Sequence, residues 1–142
     1  MVVDPLRDFP GYALRRASVA VMQRLARKLE ALRLRPSDAA VVMVIEANPD
    51  ITQSEIGRLL DIASANMAPL MRRLEEQELV ERTPVDGRTR ALRLSAAGRS
   101  LSDRVRKVCK AYEDELLRKV PVSDRAAFMR ILRALQADQA DS

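Results

Sequence analysis

The sequence has no histidine and a single cysteine, Cys109, in 142 residues. Without histidine, the commonest general base and metal ligand is missing. One cysteine builds neither a disulfide framework nor a zinc cluster. Tryptophan is absent and aromatic residues make up only 3%, so the core must be mainly aliphatic. The four glycines, at positions 11, 57, 87 and 98, form no phosphate-binding loop. No stretch approaches the roughly 18 apolar residues of a membrane span. Residues 1–10 carry Asp4 and Asp8 and lack the apolar centre of an export signal. Together these absences argue against an enzyme, a metal site, a cofactor or a membrane partner. They predict a soluble protein of the cytoplasm.

What is present is aliphatic and basic. Hydrophobic residues make up 47%, enough for a sizeable core. Lys and Arg total 25 against 20 Asp and Glu, a formal charge of +5. A positive balance favours polyanionic partners, although many soluble proteins share it. The length fits one compact domain, or a small domain carrying extra helices.

Apolar spacing divides the chain. Residues 1–10, with Pro5 and Pro10, read as an irregular arm. Leu14, Val21, Leu25, Leu29 and Leu32 predict a long helix over 12–34, broken at Pro36. Ser37 or Asp38 is expected to cap a second helix over 39–47, and Asn48-Pro49-Asp50 reads as a turn. Thr52-Gln53-Ser54-Glu55 has the spacing of a capping box, in which hydroxyl and carboxylate each satisfy the other's backbone amide. The short helix it opens precedes another, with Met67, Leu70, Met71 and Leu74 on one face. Residues 79–83 and 90–94 alternate as strands around the turn Pro84-Val85-Asp86-Gly87. Ser95 then caps a helix over 96–119, ended by Pro121, and Ser123 caps a last one over 124–137. Residues 138–142 read as a polar tail.

A helix pair followed directly by a hairpin is the winged helix-turn-helix order, whose second helix enters the major groove of DNA. That helix starts near Ala63, and Ser64, Ala65, Asn66, Ala68, Pro69, Arg72 and Arg73 should face outward. The small residues permit close approach. Ser64 and Asn66 offer hydrogen bonds to base edges, and asparagine pairs bidentately with adenine; Ser64 could equally be an N-cap. Arg72 and Arg73 suit phosphates. In the hairpin, Arg82, Arg88, Arg90, Arg93 and Arg99 face one acid, Asp86. Arg88, near the tip, suits the negative potential of a narrow minor groove. Asp86 either pairs with Arg88 or completes the turn.

These pieces resemble the MarR family of bacterial transcriptional regulators. Thr52-Gln53-Ser54-Glu55-Ile56-Gly57-Arg58-Leu59-Leu60 resembles the first helix of the family's pair. Leu74-Glu75-Glu76-Gln77-Glu78-Leu79-Val80-Glu81-Arg82 resembles the exit from its recognition helix. Asp86 and Arg88, followed by Leu94-Ser95 and Gly98, resemble its wing. The flanking helices agree in position, so the resemblance covers about residues 12–137. It implies a mainly α fold with a small β-hairpin wing, a winged helix-turn-helix with N- and C-terminal dimerisation helices. Residues 1–34 would be an arm and dimerisation helix, 35–98 the DNA-binding domain, and 99–142 the C-terminal dimerisation helices. It also implies a homodimer on pseudo-palindromic promoter DNA, relieved by a small-molecule effector. Arg88 would be the wing arginine and Asp86 its partner, while Ser54 and Ser37 would approach phosphates. The sequence departs from the family at Ala68 and Pro69, where polar or basic residues are usual. An interior proline costs a regular helix about 3 kcal/mol or more, so either the helix bends or its regular part starts at Pro69; in place of polar base contacts, Pro69 would meet thymine methyls. Cys109 lies in the fifth helix, whereas the family's oxidant sensors carry theirs in the first, so it reads as a buried, inert thiol.

The leading expectation is a dimeric DNA-binding repressor. Apolar stripes on the terminal helices, Val21, Leu25 and Leu29 and then Phe128, Ile131 and Leu135, would need a partner. The rival is a winged helix that docks protein without specific DNA binding. Residues 52–81 hold three arginines against six acids, which favours that rival.

Overall fold

A computed structural model describes residues 1–137; the tail at 138–142 lies outside the described residues. Among the described residues, six α-helices and one hairpin follow in the order α1 (Pro10–Leu29), α2 (Pro36–Ala47), α3 (Gln53–Leu60), α4 (Ser64–Glu76), β1 (Val80–Pro84), β2 (Arg90–Leu94), α5 (Ala96–Leu117) and α6 (Arg125–Ala137). Met1–Cys109 and Lys110–Ser142 are two compact units, each with its own internal packing.

The first helix starts and stops earlier than its apolar spacing predicts. Pro10 occupies its first turn, where a missing N–H costs nothing. It gives way at Glu30–Leu32 to a 3-10 turn, and Arg33 then takes a left-handed conformation at φ 56°. The second helix begins three residues before the expected 39. Pro36 sits in its first turn rather than breaking the chain, and Asp38 caps from inside, its Oδ2 accepting the Arg35 N–H at 3.1 Å.

Local chemistry at the helix pair agrees with the sequence reading. The Thr52 hydroxyl accepts the Glu55 N–H at 3.3 Å, and the Glu55 carboxylate accepts the Thr52 N–H at 2.8 Å. The bond from the Thr52 N–H, and a second that the Thr52 hydroxyl donates at 2.9 Å, hold the Glu55 carboxyl below the usual carboxylate range. Asp61, left-handed at φ 53°, ends α3. Met67, Leu70, Met71 and Leu74 of α4 are buried, and join Leu29, Val41, Val42, Ile45, Ile56, Leu92 and Val105 in the core of the first unit. Each such side chain contributes about 1.5–3 kcal/mol by leaving water.

The hairpin is antiparallel, with Val80 opposite Leu94 and Pro84 opposite Arg90. Ile51 adds a bridge to Leu92, so the segment before α3 is a rudimentary third strand. At its root, the Ser95 hydroxyl accepts the Gly98 N–H at 3.0 Å and donates to the Glu78 carbonyl at 2.7 Å. The expected cap of α5 is therefore present. The start of α6 differs from the expected 124: Val122–Asp124 form a 3-10 turn, in which the Pro121 carbonyl takes the Asp124 N–H at 2.9 Å. Among the described residues no helix is long and apolar enough to cross a membrane.

Candidate nucleic-acid interface

Helix α4 runs without interruption from Ser64 to Glu76, with Pro69 inside it. Its first amides are left open, because the N-cap residue Ala63 has no side chain to accept them. Ser64 is thus the first helical residue and not the N-cap. Opposite the buried stripe lie Ala65, Ala68, Pro69 and Arg72, all exposed, with exposed Asn66 on one flank. Pro69 has no N–H to give the Ala65 carbonyl, one turn earlier, so that carbonyl lacks its helical partner.

Arg73 breaks the expectation of an outward phosphate contact. It shares the Asn66 flank and turns inward, its guanidinium meeting Asp38 Oδ1 at 2.8 Å. The Asp38 side chain is 6% exposed. Helical spacing explains the difference: Arg73 sits beside Leu70 and Leu74, whereas Arg72 shares the outer face with Ala65 and Ala68.

The five arginines of the wing segment also divide. Arg82 meets Glu75 and Gln53. Arg93 grips Asp50 with two bonds of 2.6 Å, which holds the Asp50 carboxyl low. Arg99 donates to the Leu94 carbonyl at 3.1 Å. Only Arg88 and Arg90 make no side-chain hydrogen bond or salt bridge among the described residues. Asp86 does not pair with the Arg88 guanidinium. Its Oδ1 accepts the backbone N–H of Thr89 at 2.8 Å and of Arg88 at 3.1 Å, and these bonds depress its pKa below the ordinary value, the Thr89 bond most.

Two clefts connect these groups. One, about 450 Å3, is lined by Thr52, Gln53, Ser54, Arg82, Arg88, Thr89 and Arg90. The other, about 480 Å3, lies between α3 and α4, with Ser54, Arg58, Ala63 and Ser64 on its walls. Gln53 and Ser54 line both. A continuous surface therefore runs from the wing, past the start of α3, to the start of α4. Ser37, exposed in the first turn of α2, and Arg72 line neither cleft. Arg58, exposed and without a salt bridge among the described residues, is a residue the sequence reading passed over, as are Gln53 and Thr89. The signal for Arg58 was its place away from the Ile56 face of α3.

This arrangement has known counterparts. Residues 34–91 match the MarR family. A DNA-bound structure of the transcriptional repressor CouR superposes with a TM-score of 0.87 at 29% identity, covering 96% of this chain and 98% of that one. The chain is similar to MarR-family transcriptional regulators over residues 34–91 and in its fold. Its curated relatives include an HTH-type transcriptional repressor of Mycobacterium tuberculosis, 25% identical over 130 residues, 90% of this chain and 94% of that protein. CouR bound to p-coumaroyl-CoA superposes with a TM-score of 0.85 at 27% identity, covering 96% of this chain and 97% of the other. By this likeness α3 and α4 correspond to the helix-turn-helix pair of such regulators, α4 to the recognition helix, and the β1–β2 hairpin to the wing.

Proposed function

We propose that this chain is a dimeric, ligand-responsive repressor that binds a pseudo-palindromic promoter site. The observation that carries the reading is the set of unpaired arginines: Arg58, Arg88 and Arg90 border two clefts that share Gln53 and Ser54. A row of cations beside an exposed, small-faced helix suits a duplex, with phosphates taken by arginine and base edges met by the helix. Ser54 and Ser64 lie on that path, and Ser37 offers a hydroxyl at the start of α2. Asn66 and Arg72 bring hydrogen-bonding groups to the bases or their phosphates; Ala65, Ala68 and Pro69 allow close approach. Asp86 shapes the turn that carries Arg88.

Dimerisation is supported by apolar surface on separate elements. On α1 the stripe Val21, Leu25 and Leu29 is half-buried to buried, so Leu14, Val19 and Met22 are the exposed apolar residues there. On α6, Met129, Ile131 and Leu135 are exposed. Such surface on a soluble chain marks an interaction site. Two half-sites about 10–10.5 base pairs apart then follow from the two-fold axis. Effector control is supported by the likeness to CouR bound to p-coumaroyl-CoA, which makes aromatic acyl thioesters the first compounds to test. The protein-docking alternative drew on the acids of residues 52–81; two of them, Glu55 and Glu75, are engaged by the Thr52 cap and by Arg82.

The test is sequencing of genomic fragments retained by the purified protein, followed by gel shifts with and without p-coumaroyl-CoA. The reading expects an inverted repeat that is released by effector. Retention of no particular sequence would favour the docking module instead.

A further inference from the structure

The Asp38–Arg73 contact joins the recognition helix to the start of α2, across 35 residues of sequence. Asp38 is 4% exposed, and with Ser102 it is one of two buried polar residues among the described residues. Both of its oxygens are engaged: Oδ1 takes the Arg73 guanidinium at 2.8 Å, and Oδ2 takes the Arg35 N–H at 3.1 Å. Arg73 Nε is buried and has no partner. Among the described residues this is the only side-chain hydrogen bond between α2 and α4. A pair of this kind, with the carboxylate buried and the guanidinium half-buried, adds little net stability over apolar residues of the same volume. What it does add is geometry, because a planar guanidinium on a fixed carboxylate accepts few orientations.

We infer that Asp38 and Arg73 form a positioning clasp that sets the recognition helix against the start of α2. Arg72 is then the cation that α4 offers to DNA, and Arg73 is a positioning residue that acts through Asp38. The clasp fixes where the outer face of α4 lies relative to Ser37, one residue before Asp38. It thus governs whether base edges and phosphates are met in one register. Operator preference depends on that register, whereas non-specific affinity depends only on the number of cations near the duplex. This inference rests on the DNA-binding reading.

The experiment is a salt titration of affinity for the selected operator and for a scrambled duplex. It compares the wild type with Arg72→Gln, Arg73→Gln, Asp38→Asn and the double variant Asp38→Asn/Arg73→Gln. Arg72→Gln should weaken both duplexes and reduce the salt slope by about one for each phosphate no longer neutralised. Arg73→Gln should leave the slope and the scrambled affinity unchanged and lower operator preference by roughly ten-fold, within the range for residues acting through one network. Asp38→Asn should match it, and the double variant should lose no more than either single one. If Arg73→Gln does not fold, Arg73→Lys carries the test. A clasp then loses preference at constant slope, whereas a plain phosphate contact keeps both. A fall in slope for Arg73→Gln equal to that for Arg72→Gln, additive with Asp38→Asn, would overturn the clasp alone. A wild type that binds no duplex would overturn the DNA-binding reading and the clasp with it.

Discussion

Asp86 holds Arg88 by its backbone. The carboxylate Oδ1 takes the N–H of Arg88 at 3.1 Å and that of Thr89 at 2.8 Å, and the guanidinium is left without a salt bridge among the described residues. Replacement by alanine should free the turn, scatter Arg88 and weaken operator binding, by less than loss of Arg88 itself. Asparagine keeps an accepting oxygen and should retain most of the affinity. Thermal unfolding of both variants should stay near wild type, because the turn is exposed. Equal affinity of Asp86→Ala and wild type would show that the turn needs no such support.

Three carboxylates share one acid response. Asp50, held by Arg93, Glu55, held by Thr52, and Asp86, held by Thr89 and Arg88, all titrate below their ordinary values. A folded value below the unfolded one contributes stability that is complete above the unfolded value, roughly pH 4 for these side chains. That contribution fades as pH falls through the folded value. The melting temperature should therefore be level from neutral pH to about 5 and fall below roughly 4. The variant Asp50→Asn/Glu55→Gln/Asp86→Asn should show a shallower acid limb. An identical limb would mean that other groups drive acid unfolding.

Gly98 is required by space. A Cβ there would lie 2.1 Å from the Leu79 carbonyl oxygen, a backbone atom fixed by its bond from the Ser95 N–H at 3.0 Å. Gly98→Ala should cost about 1–3 kcal/mol, as other forced overpackings do, and lower the urea midpoint with helix content preserved. An unchanged midpoint would mean that α5 and the wing root separate freely.

Pro69 is exposed within α4 and leaves one helical bond unmade. Pro69→Ala should raise stability, by at most the roughly 3 kcal/mol that separates the two residues in a helix interior. Calorimetry checks this. A lower melting temperature would show that the ring packs usefully where it stands.

The elements were legible where one local force decides them. Capping at Thr52 and Ser95, the apolar stripe of α4 and the hairpin turn are short-range features, and each is present. Boundaries failed where proline could be read two ways: Pro36 opens α2 instead of closing α1. The third strand was hidden because Ile51 pairs with Leu92 from a segment that looks like a plain turn. At the interface, sequence counted arginines but could not see their partners. Arg73, Arg82 and Arg93 each meet an acid brought near by tertiary folding, Asp38, Glu75 and Asp50. Among the described residues, what remains unpaired in the wing is the pair Arg88 and Arg90.

The most direct test of the DNA-binding account is the affinity of wild type and Arg88→Ala for a selected operator, each measured from low to high salt. The account predicts weaker binding of Arg88→Ala to operator and scrambled duplex alike, with a salt slope reduced by about one per wing. Equal affinity and equal slope for the two proteins would contradict it.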